Sequence, residues 1–241
     1  MSKLAAILAI GAVFLPYKAI AVEITPLEVH FATVPANLDI LGVKTGMSVL
    51  DAENALRDRG YFKEGRFNDK PFPCRDHVCI TYKGAKGYEA AVRYTKGNDE
   101  VYLRYSPPYA GWAVMEITRK ISYDNAPRPT FENLFKEARP KYGRAVVWDK
   151  LGKACWDFEN GALLLKPELD AGRACSTIKR NSDGFLAMVR SPRDLEVNFV
   201  MVDKLIEREI EKLAAGVLDA EAALRRSQRQ QQMEKAATPE L

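Results

Sequence analysis

Residues 48–60, SVLDAENALRDRG, and residues 130–143, TFENLFKEARPKYG, decide how this chain is read. Each stretch opens on a hydroxyl residue suited to cap a helix and closes on a glycine suited to end one. In the first, Ser48 with Asp51 three residues on has the layout of a capping box, and Ala52, Ala55, Leu56 and Arg59 share one face. In the second, Phe131, Leu134, Phe135 and Ala138 recur at i, i+3, i+4 and i+7, and Pro140 is expected to end the helix early. The two capping residues lie 82 positions apart.

Strand-like runs follow each helix. Residues 78–82, 88–95, 100–106 and 112–123 alternate or carry β-branched and aromatic residues, and Gly- and Pro-containing turns separate them. After the second helix the corresponding runs are about 144–149, 153–158, 185–190 and 195–202. The pattern predicts an α+β fold of two tandem helix-plus-antiparallel-sheet halves, about 36–125 and 126–202, within a globular region 22–202. Residues 22–45 have no clean period, apart from a short strand expected at 38–43.

From Asp203 the character changes. Ile206, Ile210, Leu213, Val217, Ala220 and Leu224 alternate at spacings of four and three, a heptad seam on a helical tail (203–241) with a fraying polar end. That amphipathic tail is read either as docked on its own domain or as a coiled coil that binds a partner or self-associates.

The other end reads as a signal peptide, residues 1–21. Lys3 precedes twelve apolar residues, Leu4–Leu15, then Pro16 and the small residues Ala19 and Ala21. Twelve residues span about 18 Å as a helix against roughly 30 Å of hydrocarbon, so cleavage rather than anchoring is expected, with no transmembrane span afterwards. Export to the periplasm or the medium follows. The chain carries 36 basic and 32 acidic residues, and loss of Lys3 and Lys18 leaves a surplus of two. That balance gives no electrostatic case for nucleic-acid binding.

Cys74, Cys79, Cys155 and Cys175 are an even set in an exported chain, which favours disulfides, 74 with 79 and 155 with 175. A metal site built on Cys74, His77 and Cys79 is the sharper alternative, but its spacing is not a strong zinc signature. No cofactor motif is present. Ser176–Lys179 and Lys44–Gly46 match short motifs of penicillin-acting serine enzymes, but in reversed order. Glu116, Asp157 and Glu159 are the acids a glycosidase would need. Aromatics are the remaining lead: Tyr102, Tyr105, Tyr109 and Trp112 crowd one turn, and Trp148 and Trp156 recur later. Tyr105, Tyr109, Trp112 and Trp156 are the candidate binding residues if they face solvent.

Ile40-Leu-Gly-Val-Lys-Thr-Gly-Met-Ser48, followed by the helix through Leu56 to Gly60, resembles the helix start of outer-membrane assembly lipoproteins of the SmpA/OmlA (BamE) type. The doubled helix-then-strands order, with a cysteine pair in each half, resembles the tandem architecture of β-lactamase inhibitory proteins. Both resemblances imply a non-enzymatic envelope protein that binds other proteins with its sheet. The chain departs from the first in lacking a lipidation cysteine, in its greater length and in its extra tail. Function is therefore expected to be protein binding or assembly in the cell envelope, with a hydrolase of wall or glycan material as the alternative.

Overall fold

Ser48 and Thr130 each start a helix by the same chemistry. The Ser48 hydroxyl accepts the Asp51 N–H at 3.1 Å, and the Thr130 hydroxyl accepts the Asn133 N–H at 3.2 Å. Helix α1 (Val49–Arg57) buries Ala52 and Leu56. Helix α2 (Phe131–Tyr142) buries Leu134, Ala138 and Tyr142. Ala52 and Leu134, and Leu56 and Ala138, stand at the same 82-residue offset as the caps. Pro140 does not end α2 early, as the sequence suggests. It sits in the last turn, and the helix runs to Tyr142 before Gly143 (φ 79°) closes it.

The computed structural model describes residues 20–123, 127, 129–148, 152–164, 182–190 and 196–237. After α1 come β2 (Phe62–Pro71), the short β3 (Cys74–Arg75) and β4 (Val78–Thr81), then β5 (Gly87–Lys96), β6 (Asp99–Tyr105) and β7 (Val114–Ser122). After α2 come β8 (Val146–Trp148), β9 (Lys153–Glu159), β10 (Ala162–Leu163), β11 (Gly184–Arg190) and β12 (Glu196–Asp203). Nine strands form one sheet in the order β10-β9-β11-β12-β7-β6-β5-β2, with β8 added to β9. The last strands of the two halves, β7 and β12, pair antiparallel at the centre, Arg119 opposite Phe199 and Thr118 opposite Val200. The α+β class with a carboxy-terminal helix is thus present, and the two halves share one sheet. The expected boundary near 125 falls outside the described residues.

Both helices cover the same side of that sheet. Alternate residues of every long strand point to them: Val101, Leu103 and Tyr105, Val197 and Met201, Leu186 and Met188, Trp156 and Phe158. A second apolar cluster lies on the other side. A small sheet, β1 (Ile20–Glu23) parallel to β4 and β4 antiparallel to β3, contributes Val78 and Ile80, and helix α3 (Lys204–Ala237) contributes Ile206, Ile210, Ala214 and Leu218.

Four readings of the sequence are corrected. Residues 38–43 are not a strand but a tight reversal, with Ile40 bridged to Val43 and Leu41 and Gly42 at φ 57° and 77°. The edge strand β2 was hidden from pattern reading. It is charged, holds Gly65 at φ 123°, and loses register with β5 three times, devices that suit a sheet edge. Strand β1 was also missed. The bond after Ala21 lies inside it, and Val22 and Glu23 beyond that bond pair with Ile80 and Thr81. The tail seam is the fourth. The buried stripe of α3 is Ile206, Ile210, Ala214, Leu218 and Ala222, whereas Leu213 and Val217 flank it half-buried and Leu224 is 53 % exposed. Every fourth residue leads by about 40°, so this stripe winds around the helix instead of keeping a coiled-coil seam. The winding fits a helix that starts on β11 and crosses to the β3–β4 hairpin.

Candidate binding surfaces

Three of the four candidate aromatics are core. Tyr109 is fully buried against Phe72 and Tyr82, at ring distances of 5.4 and 6.4 Å, and burial pushes its phenol up to about 12. Trp156 packs on Tyr142 and donates its indole N–H to the Gly143 carbonyl at 3.2 Å. Tyr105 is buried beside Tyr94, whose hydroxyl reaches Glu53 at 2.8 Å. Strand alternation turns Tyr105 and Trp156 toward the helices, whereas Tyr109 sits in a 3-10 turn (Pro108–Ala110) and is buried in the second apolar cluster on the other side of the sheet. Trp148 lies on β8.

Only Trp112 stays exposed, at 41 %. It sits at φ 46° behind Gly111, an unfavourable conformation for a bulky residue. The buried Ser106 hydroxyl holds that turn, donating to the Ala110 carbonyl at 3.0 Å and accepting the Ala113 N–H at 2.9 Å. Ser48 bridges Ala113, so the start of α1, with Leu50 65 % exposed, lies at the same end of the molecule.

The side of the sheet away from α1 and α2 is the larger surface. Three rows cross it, strand by strand from β5 to β9. The first is Ala91, Arg104, Glu116, Val202, Phe185 and Asp157. The second is Arg93, Tyr102, Thr118, Val200, Ala187 and Cys155. The third is Thr95, Glu100, Lys120, Asn198, Val189 and Lys153. The first row borders α3, where Arg104 bridges Glu116 at 2.7 Å and Glu207 at 3.3 Å. The other two rows remain half-exposed as far as Val200 and Asn198. Their charges are paired: Arg93 with Glu64, Tyr102 with Glu100, and Lys120 with Glu196 at 2.6 Å. Tyr102 is the aromatic of this open face, and the strand alternation that buries Tyr105 is the signal that identifies it.

The first row also tests the acid pair. Glu116 and Asp157 are three strand spacings apart, about 14 Å, beyond the 5–9.5 Å that glycoside hydrolysis uses. Asp157 is buried, and Glu159 lies on the outer strand pair with β10. Lys44–Gly46 forms the connection into α1, while Ser176–Lys179 lie outside the described residues. Cys74 and Cys79 face each other across β3 and β4 and are joined by a disulfide, so their thiols are not metal ligands. His77, at φ 64° after Asp76 at φ 48°, is a residue of the two-residue turn between them. Among the described residues no group of three or more His, Cys, Asp or Glu could hold a metal ion. Cys155 is buried, and its expected partner Cys175 lies outside the described residues. No described helix is long and apolar enough to cross a membrane.

A cleft of about 310 Å³ with a mixed polar and apolar lining opens on the helix side, between the end of α1, α2 and the turn at residues 39–42. Comparison with known proteins finds no matching family, no matching curated protein and no matching solved structure.

Proposed function

We propose that this chain is an exported, non-enzymatic envelope protein that binds another protein with the open side of its sheet. The observation that carries this reading is the half-exposed surface of Arg93, Glu100, Tyr102, Thr118, Lys120 and Asn198, set on four rigid strands. A flat polar surface centred on a tyrosine, with charges already paired at its rim, suits protein recognition, where aromatic anchors supply most of the energy and charges set register. Sheet-face binding is also what the resemblance to β-lactamase inhibitory proteins implies. Export follows from the amino-terminal signal pattern, and a disulfide between β3 and β4 suits an oxidising compartment. Assembly or accessory work within the periplasm is the role that fits these features.

The test is a cross-linked pull-down from the native envelope fraction, comparing the wild-type chain with Tyr102→Ala and Lys120→Glu. The proposal expects one stoichiometric partner with the wild type and its loss with both variants, while their melting temperatures stay within a few degrees of wild type. Equal recovery by all three forms, or recovery by none, rejects the sheet face as the binding surface.

A further inference from the structure

The hairpin that carries the Cys74–Cys79 disulfide has a very short ladder. Strands β3 and β4 pair at two positions, Cys74 opposite Cys79 and Arg75 opposite Val78, and the Ile80 N–H adds a bond to the Pro73 carbonyl at 3.0 Å. β3 is the outer strand of its small sheet, and Cys74 and Arg75 are both exposed. β4 has anchors of its own, β1 on its other side and the burial of Val78 and Ile80 in the second apolar cluster. The turn between the strands places Asp76 and His77 at φ 48° and 64°, two successive non-glycine residues in the left-handed region. Such a turn matches the twist of a hairpin, but asparagine and glycine suit it better, and each residue is held there against its own preference. The disulfide is thus exposed, lies on an edge strand and closes a strained turn. Exposed and strained disulfides are the ones most easily reduced.

The same hairpin holds the far part of α3. Up to Leu218 the helix is fastened by its own apolar stripe, Ile206, Ile210, Ala214 and Leu218. Beyond Leu218, Ala222 is the one buried residue among the described residues. From Asp219 onward two ion pairs tie the helix to the β3–β4 turn, Asp219 to Arg75 at 2.7 Å and Arg226 to Asp76 at 4.0 Å. All four side chains are more than half exposed, and such pairs are worth little by themselves in water. They hold only while the turn keeps Arg75 and Asp76 in place.

We infer that Cys74–Cys79 is a thiol–disulfide exchange site whose reduction loosens the far part of α3, residues 219–237, and leaves α1, α2 and the nine-stranded sheet intact. The partner is a dithiol reductant of the Cys-x-x-Cys class. One thiolate of the reductant attacks the Cys74 sulfur, the bond to Cys79 breaks, and the Cys79 thiolate leaves with the electron pair and takes up a proton. The second thiolate of the reductant attacks the first within the mixed disulfide and releases the Cys74 thiolate, which takes up the other proton. The hairpin gains two electrons and two protons, and the reductant is left as its own disulfide. The oxidised protein carries α3 as a rigid arm, and the reduced protein carries a frayed one. This site does not depend on what the sheet face binds.

The experiment treats the full oxidised chain with dithiothreitol in native buffer and in denaturing urea, quenches by alkylation, and follows the peptides of Cys74 and Cys79 by mass spectrometry. Native reduction should run within about tenfold of the unfolded rate, whereas a bond reached only through global unfolding would be slower by about a thousandfold or more. Reduced thioredoxin, a folded Cys-x-x-Cys protein that has to reach the bond at the surface, should reduce it as well. Hydrogen exchange of the reduced protein should speed up at least about tenfold in residues 219–237, with α1 and β7 still protected. The Cys74→Ser, Cys79→Ser double variant should show the same exchange pattern without any reductant. Native reduction slowed by about a thousandfold, reduction by dithiothreitol but not by thioredoxin, unchanged exchange in the far part of α3, or loss of protection throughout the protein overturns the inference.

Discussion

The Asp203 carboxylate accepts the Ala32 N–H at 2.9 Å with one oxygen and the Ile206 N–H at 2.9 Å with the other, tying the amino-terminal strap to the first turn of α3. The carbonyl of Asp183 accepts the Lys204 and Leu205 N–H groups, so the first three donors of the helix are satisfied. Asp203 is fully buried, and burial outweighs these bonds and raises its carboxyl to about 6. An acid raised in the folded state contributes stability below its unfolded value near 3.8 that is lost as pH rises through about 6. Urea midpoints should therefore rise on acidification from pH 7 to 5 in the wild type, and Asp203→Asn should remove that slope. Asp203→Ala, which leaves buried donors unpaired, should cost about 1–3 kcal/mol at all pH values.

Two truncations separate the parts of α3. Ending the chain after Ala222 removes residues that are mostly exposed, and the melting temperature should fall by no more than about 3 °C. Ending it after Val202 removes Ile206, Ile210, Ala214 and Leu218 from a core. At about 2–5 kcal/mol for each large apolar side chain, that loss exceeds the whole stability of an ordinary domain. Far-ultraviolet dichroism should show an unfolded chain, and a folded one would mean that α3 is not part of the core.

The Cys74–Cys79 disulfide closes a short hairpin on which both β1 and α3 rest. Replacing both cysteines with serine should cost about 2 kcal/mol on the chain-entropy account. Hydrogen exchange should reveal the loss first in β1 and in the part of α3 near Asp219, which Arg75 pairs at 2.7 Å.

Gly184 begins β11 under the ring of Phe158. A Cβ there would stand 2.4 Å from Phe158 Cζ and 2.5 Å from the Val202 carbonyl oxygen. Gly184→Ala should destabilise by about 1–3 kcal/mol, through an overpacked core and a displaced backbone, as read from the urea midpoint. An unchanged midpoint would show that β11 and β12 can separate there at no cost.

Local chemistry carried much of the fold in plain view. Ser48 and Thr130 cap helices whichever partners those helices meet, and β6 shows its buried side by the alternation of Val101, Leu103 and Tyr105. The i,i+4 pair of Glu221 and Arg225 was equally legible and closes at 2.5 Å. Cys74 and Cys79 had to face each other once a two-residue turn separated β3 from β4. Tertiary structure decided the rest. Pairing of β7 with β12 joins residues some eighty positions apart into one sheet, and no local pattern encodes that choice. The winding stripe of α3 was invisible because an isoleucine–leucine heptad and an i+4 stripe share Ile206 and Ile210, and only the surface beneath selects Ala214 and Leu218 over Leu213 and Val217. Aromatic content announced a binding surface, but side-chain direction on a strand is set by which side is covered. That sends Tyr105 and Trp156 inside and leaves Tyr102 out, while in the turn between β6 and β7 the packing of Phe72 and Tyr82 buries Tyr109 and leaves Trp112 exposed.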